Sequence, residues 1–239
     1  MFGSESLLIK GRPMHRPRIV GCFTGTPKPL LEGKPLSAIA KTARAFPISL
    51  TRTGLIGDVQ ADTSVHGGPD KALHAYPAAH YAVWRAELGR EDLVAGRFGE
   101  NLTVEGLDEA TTCIGDVFEI GDARVQISQG RQPCWKLAAH TGEPRMAALF
   151  TKTARTGWYF RVLEGGAIGA GDTLTLVVRP HPDLSVAEVT TARRRRRIDR
   201  ETARRYAEVK ALASGWREAF AQMAQSVPED TSARLATPE

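Results

Sequence analysis

Short apolar or alternating runs, separated by glycine and proline, recur along the first three-quarters of the chain. The runs Arg18–Phe23, Phe46–Leu50, Ala72–Ala75, Asn101–Val104, Val117–Ile120, Ala123–Ser128, Trp158–Leu163 and Thr173–Val178 predict strands. Gly121-Asp122 between two of them predicts a tight hairpin turn. Leu174–Val178 alternates imperfectly, which fits a strand buried on both faces. Helical patterns cover Ala78–Leu88 and Pro144–Lys152, with a short one just after Cys134. Many short strands, few long helices and no regular βα alternation predict a mainly β fold, closed or folded over on itself.

The pattern changes at Arg179-Pro180-His181-Pro182-Asp183-Leu184, where two prolines in three residues disfavour both helix and central strand. This reads as a linker. Beyond it, helical periodicity spans Val186–Arg196, Thr202–Leu212 and Trp216–Gln225, with Asp199 and Ser214 as candidate N-caps. The organisation predicted is an extension over 1–17, a β domain over 18–179, a three-helix unit over 185–225 and a polar, flexible tail over 226–239.

Composition narrows the setting. Hydrophobic residues at 42% and charged residues at 25% are ordinary for a globular protein. No run is long enough to cross a bilayer and no secretory signal opens the chain, so the expectation is a cytoplasmic protein with no membrane partner. Cys22, Cys113 and Cys134 are odd in number and widely spaced, which argues against a disulfide framework and for a reducing compartment. A net charge of +5 suggests anionic ligands without choosing among them.

The sharpest charge feature is Arg193–Arg197, readable as a phosphate or nucleic-acid patch or as a solvated helix end. Residues 185–239 hold eleven Lys/Arg against eight Asp/Glu, a balance of only +3, and no aromatics interleave the arginines for base stacking. The solvated helix end is the better reading, which argues against nucleic acid as partner.

Candidate chemistry gathers elsewhere. Cys134 follows a strand-like run and lies between Arg131 and Lys136, at a turn into a helix. Nearby cations and the unpaired N–H groups of a helix start both favour a thiolate, the form that attacks or binds metal. His66 precedes Gly67-Gly68-Pro69, a loop that allows close backbone approach to an anion, and Lys71 adds charge. His66, His74 and His80 with Asp58 or Asp62 invite a metal reading, but His74 lies in a strand-like run and His80 opens a helix. Asn101 presents a donor and an acceptor to a heterocycle edge, or serves a turn. Lys41-Thr42 is unremarkable in isolation, and no GxSxG or phosphate-loop motif occurs.

Taken in order, Leu36–Lys41, Gly54–Asp58, Val65–Ala72, Phe98–Leu102, Arg131–Lys136 and Thr156–Leu163 resemble the MOSC domain superfamily, within it the YiiM type associated with resistance to N-hydroxylaminopurine. The likeness runs from about Arg18 to Gln225 and includes the helices ending in Trp216-Arg217-Glu218-Ala219-Phe220. It implies a MOSC-type β-barrel core with a few helices and a small C-terminal three-helix domain. It also implies the molybdenum cofactor, with Cys134 as protein ligand to molybdenum and as the catalytic residue. Lys41, Thr42, Asn101 and Arg131 would hold phosphate and pterin, and His66, Gly67, Gly68 and Lys71 would line the same pocket.

The implied reaction is reduction of N-hydroxylated small molecules to amines. A separate reductase would supply the electrons, since no flavin, haem or iron–sulfur motif is present in the sequence. A sulfur carrier holding a persulfide on Cys134 is the alternative within the superfamily, and a nucleic-acid module using Arg193–Arg197 the alternative outside it. The oligomeric state stays open, a homodimer included. Gly130 stands where proline is expected before the arginine, which predicts a looser loop presenting Cys134.

Overall fold

A computed structural model describes residues 16–61, 67–195 and 197–226. Most of the N-terminal extension, Asp62 to His66, Arg196 and the tail from Val227 lie outside the described residues. The strands are β1 Arg18–Thr24, β2 Thr42–Ala43, β3 Ile48–Thr51, β4 Gly54–Leu55, β5 Leu73–Pro77, β6 Leu102–Glu105, β7 Val117–Ile120, β8 Ala123–Gly130, β9 Trp158–Glu164, β10 Gly166–Ile168 and β11 Leu174–Val178. The helices are α1 Ala79–Leu88, α2 Trp135–Thr141, α3 Met146–Thr153, α4 Val186–Arg194, α5 Arg200–Glu208 and α6 Ser214–Ala224. β2, β4 and β10 were not expected; each is two or three residues long and exists through its partner strand.

Eight strands form one sheet in the order β11-β7-β8-β9-β5-β6-β1-β2. The sheet curls until its ends approach: Ile19 N–H donates to Asp172 O at 2.9 Å and Leu174 N–H to Pro17 O at 2.8 Å. The mainly β, barrel-like expectation therefore holds. Ile120 pairs with Ala123, so Gly121-Asp122 makes the predicted hairpin. β5 and β6 are parallel, a pairing that needs a crossover, and α1 lies on that connection. β5 is buried along its whole length. Its Leu73 and Ala75 join the barrel cluster while Tyr76 joins a second cluster with Trp84, Phe98 and Phe150, so alternation splits one strand between two cores. β11, read as doubly buried, is instead an edge strand exposed from Thr175 to Val178, because only β7 pairs along it.

The C-terminal helices complete the barrel's own apolar cluster, to which Leu184, Val186, Val189, Leu212, Trp216 and Phe220 belong together with Val125, Ile127 and Phe160. The proline segment before them is tied down. Arg179 grips the fully buried Asp116 carboxylate at 2.6 Å, and Ile114 N–H donates to Leu184 O at 2.9 Å.

Asp199 caps α5 as expected, accepting from Thr202 N–H at 2.8 Å, and starts that helix slightly earlier than its apolar pattern does. Ser214 does not cap α6: Ala213 is the N-cap, and Ser214 is the first helical residue. Nor is the arginine run a solvated helix end throughout. Arg193 is buried and Arg194 donates to Phe150 O at 3.1 Å, so α4 uses two of its arginines against the β domain.

Candidate functional site

Cys134 ends the loop after β8 and is the N-cap of α2, with an extended backbone (φ −133°, ψ 173°). Its carbonyl accepts Leu137 N–H at 3.1 Å, while its side chain makes no capping bond. The thiol borders an open cleft of about 110 Å³. The loop is not loosened by Gly130. A side chain there would meet Thr190 Oγ1 at 1.9 Å, so the glycine is what lets α4 pack onto the strand that leads to Cys134.

Lys41, Gly67, Lys71, Asn101 and Arg131 line this cleft with Cys134, as do Lys136, Asp58, His74, Gln60 and Tyr159. Four cations against one carboxylate among the described lining residues make it a place for an anion. Arg131, 7% exposed, is fixed by its own N–H to Gly157 O at 3.1 Å and by Nη1 to Phe98 O at 2.6 Å. Lys41 is ion-paired with Asp58, both side chains being almost completely buried. Burial pushes the Lys41 ammonium below its ordinary value, and the Asp58 charge opposes that fall. Lys136 Nζ sits 5.9 Å from the Trp135 ring centroid, a cation–π approach.

The glycine pair of the cleft loop takes backbone angles closed to other residues: φ is +119° at Gly67 and +81° at Gly68. Gly67 lines the cleft, whereas Gly68 is exposed and is not part of the lining. Thr42 is exposed on β2 and is not part of the lining. His66 lies outside the described residues.

Asn101 is present, but its amide is occupied. Oδ1 accepts His74 N–H at 3.0 Å, and Nδ2 donates to Phe23 O at 3.3 Å and to Asp58 Oδ2 at 2.8 Å. These bonds use the capacity that a heterocycle edge would need, so Asn101 holds the wall together.

The histidine metal reading finds no support among the described residues, where no group of three or more His, Cys, Asp or Glu gathers. His74 Nε2 bonds Thr156 O at 3.2 Å, and burial followed by the Arg131 charge drives its pKa well below the usual range. His80 Nε2 contacts Glu109 at 2.7 Å. Cys22 is buried, which pushes its thiol up to about 11; Cys113 is raised by burial as well. All three cysteines are free, and Cys134 alone borders the cleft among them. Among the described residues no helix is long and apolar enough to cross a membrane.

Two features escaped sequence reading. Tyr159 enters the cleft because β9 pairs with β8 in a register that sets it against Gln129, beside the Cys134 loop. Glu100 is a fully buried carboxylate that accepts from Tyr81 Oη, Gly96 N–H, Phe98 N–H and Thr103 Oγ1. It fixes the turn whose Phe98 carbonyl holds Arg131. Strand register could have pointed to the first; nothing local marks the second.

The MOSC domain model matches residues 62–175. Protein YiiM of Escherichia coli is 38% identical over 219 residues, covering 90% of this chain and 97% of that protein. A protein of Gibberella moniliformis named a reductase is 40% identical over 174 residues, which are 72% of this chain and 31% of that protein. The crystal structure of YiiM from Geobacillus stearothermophilus superposes with a TM-score of 0.75 at 36% identity, covering 87% of this chain and 99% of that one. With the cysteine cleft in a curled sheet closed by C-terminal helices, these similarities place the chain in the MOSC family, among its YiiM-type members.

Proposed function

We propose that this protein is a molybdenum-cofactor oxidoreductase that reduces N-hydroxylated small molecules to amines. The observation that carries the reading is the meeting of Cys134 with Lys41, Lys71, Arg131 and Lys136 in one cleft. The cofactor is a pterin dithiolene ending in a phosphate, and the residues fit both ends of it. A thiolate is a soft ligand suited to a metal already held by sulfur. The lysines and arginine suit the phosphate, Arg131 through a planar fork and the lysines as point charges.

In this reading Cys134 binds molybdenum, and Lys71, Lys136 and Arg131 hold the anionic part. Asp58 pairs with the buried Lys41, its charge opposing the fall in the Lys41 pKa that burial causes. The bound group supplies two-electron chemistry at the N–O bond. The overall change, R–NHOH plus two electrons and two protons giving R–NH2 and water, is balanced by electrons from a separate reductase. The similarity to a fungal protein named a reductase, of which this chain matches a minority, agrees with a redox role that draws on parts outside this chain. The burial of Arg193 and the bond from Arg194 to Phe150 leave less of the arginine run for nucleic acid.

The test is to produce the protein in a host that makes the cofactor, quantify molybdenum and pterin, and assay a hydroxylamino purine with a reduced viologen dye. Stoichiometric molybdenum and amine product are expected. Metal-free protein carrying sulfane sulfur would favour a persulfide carrier instead.

A further inference from the structure

Gly67 and Lys71 bring the 67–71 loop into the cleft wall, but the residue beside Lys71 faces elsewhere. Asp70 Oδ1 accepts from Arg161 Nε at 2.9 Å, and Oδ2 accepts the backbone N–H of Ser214 at 3.0 Å, across 144 residues of sequence. The Asp70 carbonyl accepts from Ser128 Oγ at 2.5 Å, and the Ser128 carbonyl accepts Ala213 N–H at 2.9 Å. Ser128 Oγ also lies 3.1 Å from the carbonyl of Tyr159, a cleft residue. One carboxylate and one hydroxyl thus join a cleft loop, the β8–β9 pair and the start of α6. The first N–H groups of a helix have no partner within it, and a carboxylate placed there satisfies one and meets the positive end of the helix dipole. Such a carboxylate commonly comes from the residue just before the helix. Here it comes from Asp70, in the loop whose neighbours Gly67 and Lys71 line the cleft.

We propose that Asp70 is a positioning residue of the cleft: by bonding Arg161 and the first N–H of α6 together, it holds the 67–71 loop so that Lys71 faces an anion in the cleft, and it makes the C-terminal helices part of that site. This rests on the cleft being an anion site, as read above. Asp70 does not line the cleft and acts through Lys71. The Asp70 and Arg161 side chains are 29% and 20% exposed, so their contact is partly withdrawn from water. Burial pushes the Lys71 ammonium below its usual value and the Asp70 charge opposes this, so the same carboxylate helps keep Lys71 charged.

The test uses the full chain and inorganic pyrophosphate as probe, titrated across neutral to alkaline pH. The double variant Asp70→Ala with Arg161→Gln removes the tie and preserves net charge. It is expected to lose about tenfold or more in pyrophosphate affinity, as loss of a charge-assisted contact geometry implies. The alkaline limb of its binding profile should also move to lower pH, because Lys71 loses the carboxylate that favours its charged form. The other titratable groups around the cleft (Lys41, Asp58, His74, Arg131, Cys134, Lys136 and Tyr159) are unaltered in that variant. Phe220→Leu is the control, loosening the α6 core without touching Asp70, and should leave affinity within about twofold.

Unchanged affinity and profile in the double variant, an equal loss in the control, or no pyrophosphate binding by the parent protein would each overturn the proposal. A parent that binds pyrophosphate and shows these effects, yet never acquires molybdenum or pterin, would instead sink the cofactor reading and leave Asp70 its role.

Discussion

Asn101 and Asp58 meet inside the cleft wall, the amide Nδ2 donating to the carboxylate Oδ2 at 2.8 Å. That contact fixes the carboxylate that pairs with Lys41, while the amide oxygen takes the His74 N–H from the central strand. Asn101 is therefore a brace between β5, β1 and the Lys41–Asp58 pair.

Asn101→Ala should cost stability first. It leaves the His74 N–H and the Phe23 carbonyl without their side-chain partner in a buried place. Each such loss is worth about 1–3 kcal/mol, so a drop of about 2–6 kcal/mol is expected from urea unfolding. An unchanged midpoint accompanied by lost ligand binding would restore Asn101 to a ligand-reading role.

Gly130→Ala should destabilise by about 1–3 kcal/mol, the range for overpacking a tight core. The added methyl would lie 1.9 Å from Thr190 Oγ1 and 3.1 Å from its Cβ. Thr190→Ala in the same chain should recover part of the loss, since the closer of the two contacts disappears. Thermal melts of the two single variants and the double variant check this; strictly additive losses would mean that the two residues do not oppose each other.

Acid should weaken the fold through histidines that are held neutral. Burial, aided by Arg97 and Arg131, lowers His140 to about 4, and burial drives His74 further below the usual range. A depressed histidine pKa means that the unfolded chain binds the proton first as pH falls through 6.5. Stability is therefore full above that value and declines from there toward about 4 for His140. The slope reaches at most about 1.4 kcal/mol per pH unit for each proton. Urea unfolding of the parent and of His140→Gln over that interval should give a shallower slope in the variant; equal slopes would refute the assignment.

Ending the chain after Arg179 should yield insoluble or unfolded protein. Val186, Val189, Trp216 and Phe220 lie in the same apolar cluster as Val125, Ile127 and Phe160, so removal uncovers the barrel. A soluble fragment with a cooperative melt would show that the β domain stands without its helices.

What could be read ahead of the structure follows the range of the interactions involved. The β7–β8 hairpin, the α2 start at Cys134 and the Asp199 cap are decided within a few residues, so local pattern suffices. Ser214 is not the cap its sequence position suggests because it is already the first helical residue, its N–H bound by Asp70 from far away in sequence. Gly130 misled for the same reason, since its neighbour Thr190 comes from α4. Within the cleft, Cys134, Arg131, Lys41, Gly67 and Lys71 were visible as chemistry carried by ordered motifs. Tyr159 needed strand register, and Thr42 falls outside because β2 is exposed at both of its residues, while Lys41 just before it lines the cleft.

The central claim is a bond from the Cys134 sulfur to molybdenum. Molybdenum K-edge absorption on cofactor-loaded parent protein and on Cys134→Ser tests it most directly. The account predicts one fewer sulfur neighbour around the metal in the variant; identical sulfur coordination in both would contradict it.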